Sequence, residues 1–423
     1  CLLGRAARNF SFVFLFPSSM AEKTAAVHAF AYRTFRGSSV SHQATLRLPA
    51  DVVPAPLVLN VHGGFWKTQW SLQNLSTGKL LAAFTGCATL DVEYARVDQN
   101  DPAASPEGGG FPHSCLDVLA ALNSLALPGN VPDELRARLD LSRIYLCGHS
   151  AGGQIVLWIA LLSRLNEAQR DEYAATLAAV AGPAAADALR QGVSAELGLR
   201  GVIGLAPITC LADALTDGLS DHHDAAINFL WRAGPNAALG APCVSTACPY
   251  ELLERLGAAG LEAPPPLRVL LVSGVADVDV PASMSLKLAA KAWAAARSAH
   301  ALHLVLVPGA DHYLVAGLAD TEADDAAAQW ATVCAALRAF VEEDGGRLAP
   351  LCCGSVEEAA ALCARAPPHT CAQRTLDSLA GAAGHVGDPA LVRGLRRWFD
   401  WTGKAPSAEL DARLSSEAVP SQP

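Results

Sequence analysis

Basic residues are scarce in this 423-residue chain. Its 31 lysines and arginines stand against 41 aspartates and glutamates, giving a formal net charge of −10. The sequence pI is about 5.6. A nucleic-acid binder would carry a basic stripe or patch, and the one basic cluster, Arg393, Arg396 and Arg397, is small and late. Long apolar runs are missing too. The run from Phe10 to Phe16 is too short to span a bilayer, and no other segment is long enough, so no membrane span is expected. Internal repeats are absent. Charged residues make up only 17% of the chain and hydrophobic ones 51%, a balance that excludes disorder for most of its length. The twelve cysteines include no C-x-x-C pair. Cys352, Cys353, Cys363, His369 and Cys371 crowd together near the end without the spacing of a metal site. No metal or other cofactor is expected. Cys147, Cys210 and Cys334 read as small buried core residues.

The start is unusual. The chain opens on Cys1, while "MAEKTAAVHAFAYRTFRG" from Met20 reads as an ordinary beginning. Residues 1–19 are therefore read as a leader or as untranslated upstream sequence. The expected compartment is the cytoplasm, with organellar or secretory targeting if residues 1–19 are translated. Residues 20–345 are expected to form one domain. Residues 346–423 form an extension, helical in part at "PALVRGLRRWFDW" and disordered at its end, "SSEAVPSQP".

Within the domain, short aliphatic runs alternate with helical stretches. The runs are Leu57 to Val61, Ala88 to Val92, Arg143 to Cys147, Gly201 to Leu205, Leu267 to Ser273 and Leu302 to Val307. Helical spacing covers Ser114 to Leu127, Gly152 to Asn166, Ala282 to Ser298 and Thr321 to Glu343. Continuous apolar strands between amphipathic helices predict an α/β fold, with a mostly parallel sheet covered on both faces. Val27 to Leu48 alternates polar and apolar residues and reads as a strand pair at the sheet edge. Ala168–Leu199 and Asp213–Leu261 break the rhythm as insertions.

The strongest chemical signal is "RIYLCGHSAGGQIVLWIALLSR". A buried strand runs into Gly148-His149-Ser150-Ala151-Gly152, and a helix follows, the context a G-x-S-x-G nucleophile elbow requires. The turn is strained, and tiny residues two places either side let strand and helix approach. Serine hydroxyl is a weak nucleophile that needs a base held by an acid. With this elbow the chain order is serine, acid, histidine. "GVADVDVP" offers Asp277 and Asp279 after one strand, and "PGADHYLV" offers His312 after the next. Asp277 is preferred as the acid, with Asp279 the alternative, and His312 is the expected base. Adjacent Asp311 reads as a turn-former.

Acyl transfer also builds an oxyanion. The elbow supplies the amide of Ala151, and a second donor must come from a loop after an earlier strand. In "PLVLNVHGGFWKTQW", Gly63 and Gly64 can turn their amides to the site, with His62 anchoring the loop. Phe65 and Trp66 are expected to wall the acyl side of a substrate pocket, Trp66 alternatively packing the loop on the domain.

With these residues in view, the chain resembles α/β-hydrolases of the hormone-sensitive-lipase and kynurenine-formamidase-like type. Their His-Gly-Gly-x-Trp loop reads here His62-Gly63-Gly64-Phe65-Trp66. Tyr94 and Arg96 in "DVEYARVD", Phe111, Pro112 and Asp117 in "GGFPHSCLDVLAAL", and the segments "GLAPITCL" and "ACPYELL" follow in family order. The likeness spans about Val27 to Glu343. Cys248-Pro249 stands where the family usually has Ser-Pro, and the C-terminal extension has no family counterpart. The resemblance implies an α/β-hydrolase fold with small cap-like insertions, acting on a small-molecule substrate. The implied enzyme is a serine hydrolase cleaving a small ester or amide, in its sharpest form N-formylkynurenine. A carboxylesterase of other specificity is the enzymatic alternative, and a non-catalytic receptor on the same fold the alternative of another class.

Overall fold

The computed structural model describes residues 24–34, 36–75, 77–98, 108–217, 219, 225–230, 240–262, 266–295, 302–318, 325–343, 345–353 and 359. Eight strands form one sheet in the order β1-β2-β4-β3-β5-β6-β7-β8. They are β1 (Thr24–Thr34), β2 (Gly37–Pro49), β3 (Ala55–Val61), β4 (Ala88–Val92), β5 (Leu139–His149), β6 (Leu199–Leu205), β7 (Arg268–Gly274) and β8 (Leu302–Val307). The β1–β2 and β2–β4 pairs are antiparallel, and every later pair is parallel. Every residue of β3 and β4 is buried. That explains their unbroken apolar sequence: helices cover both faces of a parallel sheet. The edge pair β1–β2 alternates because only one of its faces packs inward.

Several element boundaries differ from expectation, most of all that of β5. β5 begins at Leu139 rather than Arg143. Leu139 and Asp140 pair with Ala55 and Pro56, and the register with β3 then shifts so that Leu57 pairs with Ile144, leaving Leu141 to Arg143 as a partly exposed irregularity in the strand. Polar residues there conceal a strand from any apolar pattern. After Gly345 no further strand was expected, yet Cys353 forms a bridge to Leu304 of β8, its N–H donating to the Leu304 carbonyl at 2.8 Å. Of the cysteines expected inside, Cys147 and Cys210 are buried and Cys334 is only partly so. The leader, the helix at "PALVRGLRRWFDW", the terminal tail, Cys363, His369 and Cys371 lie outside the described residues.

The predicted insertions are mostly helical where described. Glu167–Ala181 and Pro183–Gln191 precede β6, and four helices between Leu211 and Glu262 precede β7. Asp117 ties the edge hairpin to the body. Its buried carboxylate accepts from Arg36 Nη2 (3.1 Å), the Ala95 amide (3.3 Å) and the His42 ring (3.2 Å).

Candidate active site

Parallel strands place their carboxyl ends along one edge of the sheet. Val61 of β3 lies opposite Gly148 of β5, Gly148 opposite Gly204, Leu205 opposite Val272, and Gly274 opposite Val307. The segments leaving β3, β5, β7 and β8 therefore emerge together, and they carry the predicted site residues. In doubly wound sheets this edge is where ligands bind.

Ser150 sits between β5 and the helix Ala151–Leu162 with φ 55° and ψ −118°. Such a conformation costs a non-glycine residue about 1–3 kcal/mol. A Cβ on Gly148 would collide with the Gly152 carbonyl, and one on Gly152 with the Val61 and His62 carbonyls. Those contacts hold the turn tight. The Ser150 carbonyl accepts from the Gln154 and Ile208 amides, both at 3.2 Å. Ser150 Oγ is buried and has no hydrogen-bond partner among the described residues.

His312 and Asp277 meet across the ends of β8 and β7. His312 Nδ1 lies 2.7 Å from Asp277 Oδ2, and both side chains are buried. Asp277 Oδ1 accepts from the amides of Asp279 (2.9 Å) and Val280 (2.8 Å), which fixes the carboxylate. A carboxylate facing Nδ1 makes that nitrogen the donor and leaves the lone pair on Nε2. Burial opposes a proton on His312, but the charge and hydrogen bond of Asp277, with Asp279 and Asp311 behind it, win. Its pKa is raised above the ordinary imidazole value. Asp311 Oδ1 accepts from the Tyr313 and Leu314 amides, shaping the turn that carries His312.

Gly63 lies against the elbow. A side-chain carbon there would stand 3.0 Å from Ser150 Cβ and 2.9 Å from His149 Nδ1. His62 braces this loop from behind. Its Nδ1 is 2.8 Å from the Gly63 carbonyl and its Nε2 is 2.8 Å from Glu93 Oε1. Because the peptide is planar and trans, a Gly63 carbonyl turned to His62 sends the Gly64 N–H the opposite way. Tyr94 stacks on His62 at 4.6 Å between ring centroids, and its hydroxyl donates to the His62 carbonyl at 3.2 Å.

Glu93 is a residue that sequence reasoning missed. It also accepts from the Leu72 amide (2.9 Å) and pairs with Arg96 Nε (3.3 Å). Burial pushes its pKa up, but the bonds and charges of His62 and Arg96 outweigh it, and the value is lowered. The only available signal was a carboxylate at the end of the apolar run before Tyr94. A lowered folded pKa stabilises the fold above the ordinary glutamate value of about 4.3 and loses that contribution as pH falls through the folded value. Glu93→Gln is accordingly expected to melt below the wild type at neutral pH, with the gap closing in acid. Loosening the glycine loop should also cost about tenfold in kcat/KM on an activated ester. Equal melting temperatures from neutral to acid pH would remove Glu93 from this role.

Phe65 and Trp66 both adopt left-handed backbone, with φ 51° and 58°. The loop is held by the Val97 amide on the Trp66 carbonyl (2.7 Å) and the Lys67 amide on the Gly64 carbonyl (3.0 Å). Trp66 is buried, stacked on Phe229 at 4.2 Å, and donates from Nε1 to Gln154 Oε1 at 3.2 Å. Phe65 is only partly buried and packs on the main core. Cys248 accepts the Leu211 amide at its sulfur (3.3 Å). Among the described residues no group of histidine, cysteine, aspartate and glutamate could hold a metal ion. No described helix is long and apolar enough to cross a membrane.

Residues 58–259 match the family model described as alpha/beta hydrolase fold. No curated protein matches the sequence significantly. Among solved structures, esterase B from Lactobacillus rhamnosis HN001 is similar at 17% identity, covering 77% of this chain and 89% of its own, with a TM-score of 0.51. A mutant of the esterase rPPE is similar at 17% identity, covering 76% of this chain and 84% of its own, with a TM-score of 0.50. At such identities the likeness is one of fold.

Proposed function

This chain is an α/β-hydrolase-fold protein, and from that premise we propose that it is a serine hydrolase cleaving a small ester or amide through an acyl-enzyme. The observation that carries the proposal is the buried bond from His312 Nδ1 to Asp277 at 2.7 Å, at the sheet edge where the strained Ser150 turn emerges. It leaves His312 Nε2 as the free base. In the proposed reaction Ser150 Oγ adds to the substrate carbonyl while Nε2 takes its proton, and Asp277 stabilises the imidazolium. The amides of Ala151, Gly63 and Gly64 take up the oxyanion. His312 then returns the proton to the departing alcohol or amine, and water repeats the sequence to release the acid. Apo enzymes often hold serine and histidine loosely until substrate arrives, in keeping with an unpartnered Oγ.

N-formylkynurenine is the sharpest substrate, supported by His62-Gly63-Gly64-Phe65-Trp66. Carboxylesterase action of another specificity is the alternative, supported by the esterases that share the fold. Of the two aromatics proposed for the acyl side, Phe65 is the better placed for contact, because Trp66 is held inside by Phe229 and Gln154. Turnover of p-nitrophenyl acetate and of N-formylkynurenine separates the versions. Hydrolysis of both is expected; ester turnover alone would reject the formamidase and leave the esterase standing.

A further inference from the structure

His149, the residue before Ser150, takes no part in the steps above, and its surroundings are specific. The residue is only 4% exposed. Its Nε2 lies 3.0 Å from the backbone oxygen of His312, with the two ring centroids 4.5 Å apart. A carbonyl only accepts, so Nε2 carries the hydrogen and Nδ1 is left with a bare lone pair. Nδ1 is buried without a hydrogen-bond partner. It is also the nearest atom to any side chain that Gly63 might carry, at 2.9 Å. One ring thus touches the backbone of the base and fills the space beside the glycine loop, while its own backbone leads into the nucleophile.

We propose that His149 is a positioning residue. By donating to the His312 carbonyl it sets the backbone from which His312 reaches Ser150, and its ring keeps the Gly63 loop against the elbow. This rests on the serine-hydrolase reading above. A leucine or phenylalanine would fill the same volume, but neither could hold the carbonyl. Leaving that buried carbonyl unpaired would be unfavourable and free the loop to shift. A lysine or arginine would hold it and place a permanent charge beside a base that must itself become cationic. Burial, then the charges of His312 and His62, push the His149 pKa well below the ordinary imidazole value. The ring is therefore a neutral donor, one that does not compete electrostatically with the imidazolium formed at His312.

The test compares His149→Phe, which keeps a ring without a donor, with His149→Gln, which keeps an amide donor of similar reach. The expected result for Phe is kcat on p-nitrophenyl acetate lower by about 10- to 100-fold with KM little changed, the size expected of an angstrom-scale misplacement. The Gln variant should regain most of it. A second readout does not depend on turnover: the downfield proton NMR resonance of the His312 Nδ1–H on Asp277 should move in Phe and return in Gln. Should Phe fail to fold, His149→Asn replaces it, its donor too short to reach the carbonyl and its expected behaviour the same. Equal losses in Phe and Gln, or an unmoved resonance in all variants, would overturn the proposal and leave His149 a packing residue. Absence of ester turnover in the wild type would reject the hydrolase reading instead, while the resonance would still report whether His149 governs His312.

Discussion

Ser150→Ala is expected to lower kcat on p-nitrophenyl acetate by at least about 10⁴-fold while the protein keeps its fold and melting temperature. Loss of the nucleophile removes the covalent path altogether, and what remains is the catalysis of amides and binding alone, typically about 10³–10⁴-fold over water. The stability expectation follows from the backbone. Ser150 holds φ 55° whatever its side chain, and its Oγ makes no hydrogen bond among the described residues that alanine would forfeit. Alanine also fits the space that Gly148, Gly152 and Gly63 leave around the turn. A fluorophosphonate probe provides the companion measurement. The wild type should be labelled at Ser150 and the variant should not. Unlabelled wild type would favour the receptor alternative, and labelling of Ser150→Ala at another serine would place the nucleophile elsewhere.

How much of this was legible in the sequence depends on the range of the interactions involved. The parallel strands announced themselves because burial on both faces forces an unbroken apolar run, as in β3 and β4. The elbow was legible because its requirements are local: a strand, small residues two places either side, and a helix. Residues whose role depends on a distant partner were not legible. Glu93 matters through His62, 31 residues away, and His149 through the carbonyl of His312, 163 residues away. Neither pairing leaves a periodic trace. The left-handed backbone of Phe65 and Trp66 was hidden for another reason. Bulky residues disfavour that region, so only tertiary bonds such as the Val97 amide on the Trp66 carbonyl could hold them there. The early start of β5 was masked by Asp140, Ser142 and Arg143 at the partly exposed register shift that breaks its apolar run.

Asp277→Asn separates the proposed mechanism from a mere cluster of polar side chains. The Asp277 carboxylate accepts from His312 Nδ1 and from two backbone amides. An asparagine can keep its oxygen on those amides, which leaves its NH₂ group facing the ring. His312 must then present Nδ1 as the acceptor and carry its hydrogen on Nε2, the nitrogen that has to take the serine proton. The tautomer is wrong, and kcat should fall by about 10⁴-fold with little change in KM. The pH profile gives a second, independent reading. Activity needs neutral His312, so wild-type kcat/KM should rise with pH through a midpoint above the ordinary imidazole value of about 6.5. Burial alone would set that midpoint lower, and Asp277 is the largest influence raising it. In Asp277→Asn the residual activity should therefore rise through a lower midpoint. The same shift fixes the sign for stability. A raised folded pKa stabilises the protein fully below about 6.5 and ceases to do so as pH climbs past the folded value. The destabilisation of Asp277→Asn should accordingly be greatest in mild acid and shrink toward alkaline pH. An unchanged midpoint together with a large loss of kcat would mean that Asp277 orients the ring without governing its charge.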